Sequence, residues 1–90
     1  MKRGDQIAYI PNHAKEEGLT HPDTEYGFVY SVSPIDSETI FCRYWLKGKL
    51  GTLRTVSCSE ATDIKDLVLH QSIDQDYVEK TIDKINKGEF

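Results

Sequence analysis

The stretch "ETIFCRYWLKGKLGTLRTVSC", residues 38–58, decides the fold. Glu38 to Leu46 is dense in aromatic and β-branched residues, the types that pack well on a pleated surface, and reads as a strand. Lys47-Gly-Lys-Leu50 is a hairpin tip, and Gly51 to Cys58 reads as the returning strand. A register pairing Leu46 with Gly51 sorts the side chains onto two faces. One face holds Ile40, Cys42, Tyr44 and Leu46 with Leu53 and Thr55. The other holds Phe41, Arg43 and Trp45 with Thr52, Arg54 and Val56. The first is the better core, so Trp45 is expected to point outward between Arg43 and Arg54, with Lys47 and Lys49 beside it.

Working outward, Tyr26 to Val32 reads as a strand, joined to the first by a turn at Pro34-Ile-Asp-Ser37. The step from Val29 to Val32 breaks strict alternation; a β-bulge would return both valines to the core and bend the strand. Phe28 and Tyr30 would then point away from Val29, either to solvent or, equally, under the C-terminal helix, which would cover Phe28, Tyr30 and Phe41 and leave only the hairpin tip exposed. Asp5 to Ile10 alternates and stops at Pro11, which has no N–H for a ladder. Leu67 to Leu69 is long enough for a closing fifth strand. From Ser72 the pattern changes. Val78, Ile82 and Ile85 share a helical face, Asp74, Asp76 and Glu79 precede Lys84 and Lys87 as the helix dipole favours, and Gly88 is a natural stop. Ser72 and Gln75 have the spacing of a capping box. The expected architecture is mainly β, a small five-stranded barrel over residues 1–71 with an amphipathic α-helix over 72–88 packed on it as one domain.

Ninety residues make a single domain, burying about 60–65% of the unfolded surface, with little room for a deep substrate cavity. No apolar run nears the ~20 residues that span a bilayer, and the N-terminus lacks a signal-peptide core, so a cytoplasmic location without membrane contact is expected. Cys42 and Cys58 lack metal or redox spacing and suggest two buried thiols. The net charge of −4 is unevenly spread. Residues 41–59 carry Arg43, Lys47, Lys49 and Arg54 and no acid, whereas both flanks are acidic.

The pattern Gly4-Asp-x-Ile7, Gly27-x-Val29-x-x-Val32 and an apolar third strand resembles SH3-like barrels of the KOW and Tudor kind. Ile10-Pro-x-His13-Ala, His21-Pro-Asp-x-Glu-x-Gly27, Phe41-x-Arg43-Tyr44 and Asp66-Leu67 resemble a group of short phage and prophage proteins of unassigned function. The likeness covers roughly residues 4–70 and leaves out the helix. Thr24 departs from it, standing where those proteins carry a cysteine. It implies a fold and an origin, and no activity.

Residues 10–27, "IPNHAKEEGLTHPDTEYG", concentrate the groups able to do chemistry. Zinc wants three or four ligands converging tetrahedrally, usually from tight local pairs, and His21-x-Asp23 is the one tight pair here. A cysteine nucleophile needs a histidine base at hand, and Cys42 faces inward from mid-strand. His13, His21, Asp23 and Glu25 are therefore expected to be structural ties or a secondary interface, with no metal or other cofactor. Pro22 suits the first central position of a turn over His21–Thr24.

The expected function is a non-catalytic binding module, a phage-type accessory protein engaging a host or phage protein partner through Arg43, Trp45, Lys47, Lys49 and Arg54. The alternative is a nucleic-acid adaptor using the same basic, aromatic hairpin over 41–56. On this reading Trp45→Ala spares the fold and Tyr44→Ala destroys it.

Overall fold

A computed structural model describes every residue except Ser37 and Val56, so the readings of those two positions lie outside the described residues. Six strands form: β1 (Gln6–Tyr9), β2 (Glu25–Val32), β3 (Thr39–Leu46), β4 (Lys49–Leu53), β5 (Glu60–Asp63) and β6 (Leu67–Leu69). A helix, α1 (Gln75–Lys87), follows. The sheet is antiparallel, in the order β4-β3-β2-β1-β6. β3 serves two neighbours on one edge, with Thr39–Cys42 against β5 and Trp45–Leu46 against β4. The described strands make an open sheet of six, in place of the expected closed five.

The extra strand comes from the return half of the hairpin. β4 ends at Leu53, and Arg54 leaves it to meet Glu25 and Glu60. Glu60-Ala-Thr-Asp63 then pairs with the start of β3. This short, polar edge strand buries only Thr62, so no apolar alternation announces it.

The register of the hairpin also differs from the expected one. Leu46 pairs with Lys49 around a two-residue tip, and Trp45 pairs with Leu53 across a register shift. Gly48 and Gly51 take left-handed φ values of 73° and 96°, which glycine adopts without a Cβ clash. The slip moves Leu53 onto the Trp45 face, because directly paired residues share a face.

Both faces of the sheet are buried. On one, Ile7, Val29, Ile40, Cys42, Tyr44 and Leu67 form a core. On the other, Phe28, Trp45 and Leu53 pack beneath Val78 and Ile82 of α1. Trp45 is only 2% exposed, as enclosed as Tyr44 at 3%, which corrects the outward placement of the tryptophan. The alternation agrees with the expectation, and Ile40, Cys42 and Tyr44 do form a core; what differs is that the helix covers the second face. Arg43 on that face is buried too, so neither it nor Trp45 offers a free surface.

The bulge falls at Tyr30, between the pairs Val29–Cys42 and Ser31–Phe41. It puts Val32 opposite Ile40, yet Val32 remains nearly half-exposed at the strand end. Gly27 meets β3 closely; a Cβ there would lie 2.1 Å from the Arg43 carbonyl oxygen.

The helix begins differently from the expected capping box. Asp74 is its N-cap, accepting from the Asp76 N–H at 2.8 Å, and Gly88 closes it at φ 68°. Gln6 explains why Ser72 is not the cap. Its Oε1 accepts from the Ser72 and Ile73 amides at 3.1 Å, and its Nε2 donates to the Ile73 carbonyl at 2.8 Å. The backbone before the helix is thus held against β1.

Two outcomes follow from this packing. Trp45→Ala empties a filled site between sheet and helix and is expected to cost about 3–5 kcal/mol in chemical denaturation, as Tyr44→Ala does on the other face. The two free thiols are expected to separate: exposed Cys58 reacts with a thiol reagent in the native protein. Buried Cys42, whose thiol burial pushes up, reacts only on unfolding.

Candidate functional site

The loop between β1 and β2 is built from two 3₁₀ turns, Asn12–Ala14 and Gly18–Thr20. Pro11 starts the first in an extended conformation, and buried Ala14 plugs it into the fold, its N–H bonded to the Pro11 carbonyl at 2.9 Å. Lys15 reaches Asp66 at 2.9 Å, fastening the loop to the 3₁₀ turn Ile64–Asp66 before β6. The second half closes on itself. Thr24 donates through its hydroxyl to the Gly18 carbonyl at 2.6 Å and through its N–H to the His21 carbonyl at 3.1 Å. Pro22 occupies the first central position of that turn, where its fixed φ suits it.

His13, His21 and Asp23 meet on this frame. His13 Nε2 lies 2.6 Å from Asp23 Oδ2, the Asp23 N–H donates to His21 Nδ1 at 2.9 Å, and the two rings meet edge to face at 5.4 Å. The hydrogen bond from His13 is the main reason the Asp23 carboxyl is held below its usual range, with Lys47 adding to it from 3.7 Å. Glu25 does not join them. It lies on β2 and pairs with Arg54.

Lys47 ties the hairpin tip to the loop, and a groove of about 330 Å³ runs between the two. Its apolar lining is Pro22, Tyr26, Trp45, Leu46 and Leu50, and its polar lining is His21, Thr24, Glu25 and Lys47. Leu46 and Leu50 are 38% and 48% exposed. The sequence places Leu46 on the core face and Leu50 in the tip; the exposure of Leu46 corrects the first, and apolar residues flanking a charged tip were the available signal.

The basic aromatic set divides. Trp45 contributes to the groove from a buried position, and Lys47 and Lys49 are exposed at the tip. Arg43 turns inward, donating from Nε to Ser59 Oγ at 2.9 Å with its guanidinium 4.9 Å from the Tyr30 ring centre. Arg54 is gripped by Glu25 and Glu60, and the Glu60 hydrogen bond raises its already high pKa. Together with Tyr9, Tyr44, Asp63 and Asp66, these groups line a second hollow of about 240 Å³, in which the Arg54 charge is already paired.

Compared with known proteins, the chain matches no family model, no curated protein and no solved structure.

The lowered Asp23 pKa gives a sign. A carboxyl that ionises more readily folded than unfolded adds stability above its unfolded value and loses it as pH falls through the folded one. His13→Ala is therefore expected to move the Asp23 carboxyl titration, read by NMR, back up toward the ordinary range. The variant's stability deficit near neutral pH should vanish in acid, once Asp23 is protonated.

Proposed function

We propose that the protein is a non-catalytic binding module whose groove between the loop and the hairpin tip takes an apolar, extended segment of a protein partner. The observation that carries this reading is the pair Leu46 and Leu50, large apolar side chains held at the mouth of a groove floored by Pro22, Tyr26 and Trp45. Apolar surface presented in that way is worth most when a partner covers it. β4 forms the adjoining edge of the described sheet, so backbone pairing by an added strand is available beside the groove.

The strand plan supports the SH3-like part of the reading. A long loop follows the first strand, and a 3₁₀ turn leads into a last strand that returns beside β1. With the sequence motifs described above, it supports a phage-type accessory protein acting in the cytoplasm on a host or phage protein.

The nucleic-acid alternative is weakened by how its cations are used. Arg43 is buried against Tyr30 and Arg54 is held by two carboxylates, which leaves Lys47 and Lys49. Two such contacts give a log–log salt slope of only about −1.4 on single strands, at roughly −0.7 each.

The test is a photo-crosslinker at position 50, followed by affinity measurement with the captured protein. Leu50→Asp is expected to weaken binding at least tenfold with the melting temperature kept within a few degrees. Ile35→Asp, at a 95% exposed apolar residue away from the groove, should leave it unchanged. Retained binding in Leu50→Asp with loss in Ile35→Asp would move the interface to the β2–β3 turn. Tight, steeply salt-dependent oligonucleotide binding would favour the alternative.

A further inference from the structure

Three donors that the sequence separates converge on one surface of the loop. One ligand atom each from His13, His21 and Asp23 lies within 4.8 Å of the other two. We propose that this triad binds a divalent transition-metal ion of the zinc class, through one nitrogen of each imidazole and one oxygen of Asp23. The proposal stands independently of what the groove binds.

The donor set argues for that class. Two imidazoles with one carboxylate suit zinc, cobalt and nickel, whereas calcium and magnesium prefer all-oxygen shells. Ligands about 2.0–2.2 Å from a tetrahedral ion stand roughly 3.3 Å apart. The His13–Asp23 pair at 2.6 Å must open slightly and the wider pairs must close, which side-chain rotation supplies. The backbone carrying them is already fixed by the Thr24–Gly18, Thr24–His21 and Ala14–Pro11 hydrogen bonds. An ion therefore does not have to order the loop that holds it.

Binding exchanges contacts rather than only adding them. The ion replaces the His13–Asp23 hydrogen bond and competes for the His21 lone pair that now accepts from the Asp23 N–H. Lys47 opposes it from Asp23 Oδ1, while His13 engages the other oxygen, Oδ2. That ammonium is more than half exposed and on a flexible stem, so its repulsion weakens the site without closing it. Three protein donors leave a coordination position open to water or to another ligand.

The experiment uses the whole chain without a histidine tag, stripped by a chelator and verified as folded by circular dichroism. Zinc is titrated in competition with a chromophoric chelator near neutral pH. The expected result is one equivalent per chain at micromolar affinity or better, at least tenfold weaker in His13→Ala and in His21→Ala, and tighter in Lys47→Ala. Cobalt in place of zinc is expected to give a visible absorption band that His13→Ala abolishes. Acid should weaken binding, because the ion displaces protons from imidazole. Asp23→Asn, close in shape but without the charge, carries the test should a histidine variant fail to fold, and it too should bind at least tenfold more weakly. The proposal is overturned by absence of stoichiometric binding, by affinity that survives in the folded loop variants, or by affinity lost in Cys58→Ser, which would place the ion on the exposed thiol.

Discussion

Everything in this fold depends on α1 lying over Trp45. β3 carries large side chains toward both of its faces, so a single sheet that curled around one core would leave the other apolar side wet. The Phe28 and Trp45 rings sit 5.2 Å apart beneath Val78 and Ile82, and Tyr77 lies 6.0 Å from Trp45 while donating to the Gly51 carbonyl at 2.6 Å. Burying roughly 200 Å² of an aromatic side chain at about 25 cal/mol per Å² contributes about 5 kcal/mol, comparable with the whole net stability of a small domain. The helix is held at its other end as well, where Asn86 Oδ1 accepts from both Arg3 and Tyr30. Gln6 fixes its approach, Tyr77 its middle and Asn86 its exit.

That layer explains where sequence reading stopped. Alternation along Ile40–Leu46 correctly separated Cys42 and Tyr44 from Arg43 and Trp45, because period two is a property of the strand itself. Which face meets solvent is not such a property; it depends on where a helix that starts 29 residues after Leu46, at Gln75, docks. The bulge at Tyr30 and the stop at Gly88 were legible because each arises from local backbone chemistry. The N-cap was misread since Ser72 and Asp74 both offer suitable oxygens, and the choice is made by a glutamine on β1. β5 gave no signal at all, being polar and short. His13, His21 and Asp23 were legible as candidate donors, with His21 and Asp23 as a tight pair; it was not legible that two 3₁₀ turns bring His13 to that pair from eight residues away.

Charge was legible as a distribution but not as a partner. The basic segment over 41–59 suggested a protein or nucleic-acid partner, yet Arg54 finds its carboxylates within the chain, on β2 and β5. Each exposed half of that clamp contributes about 1 kcal/mol or less. Its greater effect is geometric, turning the chain from the end of β4 toward β5. Arg43 is engaged differently, by a hydroxyl at Nε and an aromatic face, with Arg3 on the same ring at 4.8 Å, and its buried Nη1 has no hydrogen-bond partner among the described residues. The Tyr30 ring offsets part of the cost of burying this arginine without a carboxylate partner.

With both sheet faces occupied and the arginines internally engaged, the perimeter is what remains for recognition. Its two best-defined parts, the loop and the hairpin tip, are joined through Asp23, which faces His13 with one oxygen and Lys47 with the other. This carboxylate stands beside the groove that His21, Pro22, Lys47 and Gly48 help to line, and its contact with Lys47 ties the loop to the tip. An ion held by Asp23 would compete with Lys47 for that carboxylate and so weaken the tie between loop and tip. A metal on the loop and an apolar segment in the groove would therefore be coupled through a single side chain, and the sign of that coupling follows from whether the segment needs the tip held or released.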